Sequence, residues 1–202
     1  LGPFILNKAS NVFKSRMSKR LWVIGSNEVT GISIEESFKN LIRLLDKHLE
    51  RRPYIFGKRP SIADFALWGH IYNANNDVTA NVFIQKHAPN LNVWIERMLD
   101  PKEKGSFEEW QELKPTLLPL IKEEVSEVFL PWVYANNDAV KNNKDQLSIT
   151  LKGRPFTHKV TSVQKFHAKS FGLLMEHYKT VSQDQELREI LVETGVKEYL
   201  NA

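Results

Sequence analysis

Apolar residues recur at helical spacing along almost the whole chain. Residues 4–24 carry Phe4, Ile5, Val12, Phe13, Met17, Leu21 and Trp22, interleaved with Lys8, Lys14, Arg16, Lys19 and Arg20, and Gly25 is placed to stop that helix. Ser33 and Glu36 have the spacing of a capping box. Phe38, Leu41, Ile42, Leu45 and Leu49 follow as one amphipathic stripe, ended by Pro53. From 61 to 75 the pattern changes: Ile62, Phe65, Ala66, Leu67, Trp68, Ile71 and Tyr72 make a helix apolar on nearly every side, which predicts a buried central helix. A short helix over 78–88 (Val78, Val82, Phe83) leads to Pro89 and a further stripe of Leu91, Trp94, Ile95 and Met98.

Beyond the polar break 100–105, Ser106 with Glu109 has capping-box spacing ahead of Trp110 and Leu113. A long helical pattern over 116–143 contains Pro131, where a kink or break is expected. The alternation of Leu147-Ser-Ile-Thr-Leu151 before Lys152-Gly153 is the strand signal, and 155–160 can return as its partner. Residues 161–178 read as another helix, and Ser182 with Gln185 caps a last one over 183–194, ended by Gly195. The fold class is therefore all-α: a bundle of about eight helices with a small β-hairpin insertion near residues 147–160.

The most informative stretch is 53–72. Gly57 permits a positive φ, and Pro60 holds Arg59 extended. The Ser61 hydroxyl can then accept the Asp64 N–H, while the Asp64 carboxylate reaches back to the Ser61 N–H and favours the positive end of the helix. Pro60 and Phe65 occupy the positions of a hydrophobic staple.

These residues carry a resemblance. Gly57-Lys-Arg-Pro-Ser61-Ile-Ala-Asp64 resembles the G-x-x-P-S-x-A-D signature of the C-terminal helical domain of glutathione S-transferases, and Pro89-Asn-Leu-Asn-Val-Trp94-Ile-Glu-Arg-Met98 resembles the helix that follows it there. Phe129 to Asn136, beyond the usual end of that domain, is similar to a bacterial subgroup of transferase-like proteins. The resemblance implies a transferase-type C-terminal helical domain over 1–128, with its start truncated, and a helical extension with a short hairpin over 129–202. It assigns Ser61 and Asp64 a structural capping role. It also implies an N-terminal thioredoxin-like domain, absent from this chain, that binds glutathione as co-substrate and stabilises its thiolate for attack on a small hydrophobic electrophile. In such an enzyme, expected to be a homodimer, this chain would supply only co-substrate pocket wall and dimer scaffold. No catalytic residue is then expected here, and the chain alone should be inactive. The residues for the pocket wall are Phe13, Met17, Trp22 and Tyr72, with Arg20 and Arg16 able to meet a glutathione carboxylate. The alternative is a non-catalytic protein-interaction module of the same fold, for which an exposed apolar patch on 129–160 would speak.

Composition narrows the rest. Apolar residues make up 42% and charged ones 26%, as in ordinary globular domains. Zero cysteines exclude disulfides, thiolate metal sites and a cysteine nucleophile, and fit a cytoplasmic protein. No apolar run of membrane-spanning length occurs, so no membrane partner is expected. The net charge of +4 is uneven, with 12 Lys/Arg against 5 Asp/Glu in residues 1–60 and 16 against 19 in 61–202. A nucleic-acid partner is not expected, because no aromatic-and-basic binding motif accompanies the charge. The six histidines show no metal-ligand spacing, so no metal is expected. His70, on the apolar helix, is read as a hydrogen-bonded core residue.

Overall fold

The computed structural model describes residues 21–200, which divide into two compact units. One runs Ser37–Val125. The other joins the residues before it to those from Ser126 on. The first expected helix, over 4–24, lies outside the described residues except for a 3-10 turn at Leu21–Ile24, closed before Gly25.

Helix α1 is Gly31–Leu49. It starts earlier than the Ser33–Glu36 box predicted, because Asn27 and Thr30 satisfy the first turn instead. The Asn27 carboxamide accepts the Val29 and Thr30 N–H groups at 2.9 and 3.0 Å, and the Thr30 hydroxyl donates to the Gly25 carbonyl. Ser33 is left inside the helix with its hydroxyl buried and unbonded.

In the 37–125 unit, α2 (Ile62–Asn75), α3 (Val78–His87), α4 (Pro89–Arg97) and α5 (Trp110–Leu120) pack with the second half of α1. Ile42, Leu45 and Leu49 of α1, Ile71 of α2, Ile84 of α3, Leu91, Trp94 and Ile95 of α4 and Leu113 and Leu117 of α5 form its core. The expectation that α2 is buried all round is corrected. Only Asp64 and Ile71 are fully buried on it; Ile62 is 88% exposed, Phe65 53%, and His70 is exposed rather than a core histidine. The uniformly apolar sequence of α2 gave no stripe to orient it. The histidine buried in this unit is His48, which falls on the α1 stripe.

Helix α5 begins after Glu109, not after Ser106. The Lys58 N–H donates to the Ser106 carbonyl at 3.0 Å and the Glu108 N–H to the Phe56 carbonyl at 2.9 Å. Residues 106–108 are thus held extended against the 54–58 turn, and Glu109 with Glu112 forms the box instead. Gly57 sits at the centre of that turn with φ 117°, and an added Cβ there would lie 2.9 Å from the Glu108 nitrogen.

The expected break near Pro131 is a nine-residue π-helix, Ile121–Phe129, after which α6 (Leu130–Lys141) restarts with Pro131 in its first turn, where no N–H is required. In the other unit, strands β1 (Gln146–Leu151) and β2 (Arg154–Lys159) pair antiparallel, Ile149 opposite Phe156, across a Lys152-Gly153 turn with both φ values positive (45° and 78°). The hairpin is stable because Leu147, Leu151 and Phe156 pack with Ala139 and Trp132 of α6. Helix α7 (Ser162–Val181) is capped by Thr161 with Gln164. The last helix, α8 (Gln185–Glu193), is capped by Asp184, whose carboxylate accepts the Leu187 N–H at 2.9 Å, rather than by Ser182, which donates to the Lys179 carbonyl of α7. Described residues contain no helix long and apolar enough to cross a membrane.

Candidate functional site

One buried polar centre of the 37–125 unit is Asp64. The turn from Pro53 to Pro60 brings the chain back over the start of α2, so that this carboxylate lies fully buried in the core. Its Oδ2 accepts the Ser61 N–H at 2.9 Å and the Ser61 hydroxyl at 2.7 Å, closing the capping box. Its Oδ1 accepts the Ile55 N–H at 2.8 Å and the Trp94 indole N–H at 3.1 Å. A buried carboxylate is tolerated only when its lone pairs are met, and here four donors meet them. The two motifs singled out in the sequence, at Ser61–Asp64 and Trp94, are therefore parts of one hydrogen-bonded centre.

A second buried polar centre joins α1 to α5. His48 Nε2 lies 2.7 Å from the Ile55 carbonyl and Nδ1 lies 2.8 Å from the Thr116 hydroxyl. Because Nε2 must donate to the carbonyl, Nδ1 of the neutral ring accepts from Thr116. Arg52 donates to the Thr116 hydroxyl at 3.1 Å and pairs through Nε with Glu108 at 2.5 Å. Burial pushes the His48 ring below the ordinary histidine range, with the Ile55 carbonyl opposing it and the Arg52 charge adding to it. A hydroxyl–imidazole pair at this distance has the spacing of a nucleophile and its base. Here both ring nitrogens are bonded and the side chain is inaccessible, so the pair is structural.

The pocket-wall residues expected from the resemblance fare unevenly. Phe13, Met17 and Arg20, like Arg16, lie outside the described residues. Trp22 is half exposed on the 3-10 turn of its unit. Tyr72 is half-buried on α2 of the other unit, its ring 4.9 Å from that of Trp68, whose indole N–H donates to the Ile95 carbonyl at 3.1 Å. Described residues contain no group of three or more His, Asp or Glu side chains placed to hold a metal ion.

Comparison with known proteins agrees with the geometry. Residues 28–97 match the family model of the glutathione S-transferase C-terminal domain, a span that contains both motifs and the Asp64 centre that unites them. No curated protein and no solved structure matches the chain. Residues 28–97 are thus similar to the C-terminal helical domain of glutathione S-transferases.

Proposed function

We propose that the chain is the C-terminal part of a glutathione S-transferase-like enzyme of the cytoplasm. It acts as a dimer with a thioredoxin-like domain that binds glutathione, and the reaction is conjugation, or a related thiol transfer, to a small hydrophobic electrophile. Residues 1–128 are the transferase-type part and 129–202 an extension. The observation that carries the reading is the family match over 28–97, centred on the buried Asp64. The open side of α2 supports it: Ile62 and Phe65 present apolar surface that a second domain would cover. In this reading the chain contributes Trp22 and Tyr72 to the wall against which an apolar co-substrate packs, together with Phe13 and Met17, while Arg20 meets a carboxylate of glutathione. The thiolate chemistry lies in the other domain.

The test is glutathione binding by calorimetry, on the 202-residue chain and on the protein extended upstream to its natural start. The longer protein is expected to bind glutathione and to conjugate an electrophilic aryl halide, and the shorter one to do neither. Absence of binding by both would end the enzyme reading.

A non-catalytic interaction module is the second reading. Within 129–160, Leu147, Leu151 and Phe156 are buried in their own cluster, while Phe129 and Tyr134 are exposed. Apolar side chains are also exposed along α7, at Phe166 (67%), Leu173 and Leu174, and that stripe favours a protein contact.

A further inference from the structure

Between the C-terminal end of α1, the Pro53–Lys58 turn and one side of α4 lies an open depression of about 590 Å³, all within the 37–125 unit. That volume suits a small molecule. The lining is unusual in its charge. Four cations face it that form no ion pair among the described residues: Arg51, Lys58, Arg97 and Lys104. A fifth, Arg52, is already committed to Glu108 at 2.5 Å. The one carboxylate in the lining, Glu50, pairs with Lys47 at 2.7 Å.

The fold holds these cations together. The Lys104 N–H donates to the Lys58 carbonyl at 2.9 Å and the Lys58 N–H to Ser106 at 3.0 Å, which fixes the two lysines on neighbouring strands of chain. The stem of Lys58 lies over Gly105, where an added Cβ would come within 3.2 Å of Lys58 Cδ. Arg97 is braced by donating to the Pro53 carbonyl at 2.7 Å, leaving the rest of its guanidinium for a ligand. Asn90, Val93 and Arg97 line the same side of α4 at i, i+3 and i+7. Four like charges gathered with Glu50 as the one carboxylate in the lining repel one another, and a multivalent anion relieves that repulsion where a single further carboxylate would not. A polyphosphate chain has the matching valence, with one charge on each inner phosphate and between one and two on the terminal one. Val93 and Pro53 add an apolar surface beside the cations.

We propose that this depression is a binding site for a small molecule bearing a polyphosphate chain, gripped by Arg51, Lys58, Arg97 and Lys104. The site is independent of the glutathione reading and needs no second domain.

The test is calorimetric titration of the 202-residue chain with inorganic tripolyphosphate and, separately, with ATP at low salt. Saturable binding of one equivalent is expected. Binding should weaken at least about tenfold in the double variant Lys58→Ala/Lys104→Ala and in Lys104→Glu, and weaken again as salt is raised to about 0.15 M. The control Lys165→Ala/Lys169→Ala, on α7, should bind as the parent does, and all variants should melt within a few degrees of it. Tighter binding of ATP than of tripolyphosphate assigns the site to nucleotides through Val93 and Pro53, and equal affinity assigns it to the phosphate chain alone. Absence of saturable binding overturns the proposal. So does binding that survives Lys58→Ala/Lys104→Ala, or that the α7 control abolishes equally. Capture of a single-stranded oligonucleotide that tripolyphosphate fails to displace overturns it too, in favour of nucleic acid.

Discussion

The Asp64 carboxylate and the Trp94 indole N–H, 30 residues apart in the chain, meet at 3.1 Å in the core of the 37–125 unit. That bond ties the first turn of α2 to the middle of α4. The other oxygen of Asp64 closes the cap on Ser61. One side chain thus sets both where α2 begins and what it packs against.

Asp64→Asn should be the most damaging isosteric change in the chain. It turns one acceptor toward donors as an NH2 group and removes the charge that strengthens the remaining bonds. A loss of about 3 kcal/mol is expected in urea denaturation, against about 1 kcal/mol for Ser61→Ala. A loss no larger than that of Ser61→Ala would show that Asp64 serves only as a cap.

Trp94→Phe keeps the apolar volume and removes the indole N–H, so it should cost about 1–2 kcal/mol. In a double-mutant cycle Trp94→Phe and Asp64→Asn should couple, because they share one hydrogen bond. Additive losses would contradict the contact.

Gly57→Ala forces a Cβ onto a residue with φ 117° and to within 2.9 Å of the Glu108 nitrogen. The 54–58 turn cannot yield without breaking its bonds to residues 106–108. A loss of about 2 kcal/mol or more is expected, read as a lowered denaturant midpoint.

Stability should fall on mild acidification. Burial lowers the folded-state affinity of His48 and of His158 for a proton, with the Ile55 carbonyl opposing it at the first and the Val23 carbonyl at the second. Above the ordinary value of 6.5 both rings are neutral in the folded and unfolded chain, and their contribution is complete. As pH drops below it the unfolded chain takes up protons first, and stability is lost toward the depressed folded values. The Tm should therefore fall between about pH 7 and about pH 5, and His48→Gln should flatten that slope while lowering the Tm at neutral pH. An unchanged slope would remove His48 as a source.

Phe65→Glu, on the open side of α2, should leave the stability of the 202-residue chain within about 0.5 kcal/mol of the parent, as for other surface changes. In the protein extended upstream, the same change should weaken glutathione turnover if a thioredoxin-like domain covers that side. Equal turnover would place the domain contact elsewhere.

The helical class, the hairpin at 147–160, the stripe Ile42–Leu45–Leu49 and the Ser61–Asp64 box were all legible in the sequence. Each rests on spacing within one element, and spacing is a local property. What lay outside local reach was decided by partners distant in the chain. Segment 106–108 is drawn into pairing with residues 56 and 58, so α5 starts at Trp110. The uniformly apolar α2 carries no pattern to say which side faces out, and packing left Ile62 and Phe65 in solvent. His48 rather than His70 became the core histidine, because only the tertiary fold supplies the Ile55 carbonyl and Thr116 hydroxyl that satisfy a buried imidazole. The cations of the α1–α4 depression are spread over 54 positions of sequence, from Arg51 to Lys104. Their gathering is a product of the turn at Gly57 and the Lys58–Lys104 backbone bond, contacts that no run of charge in the sequence encodes.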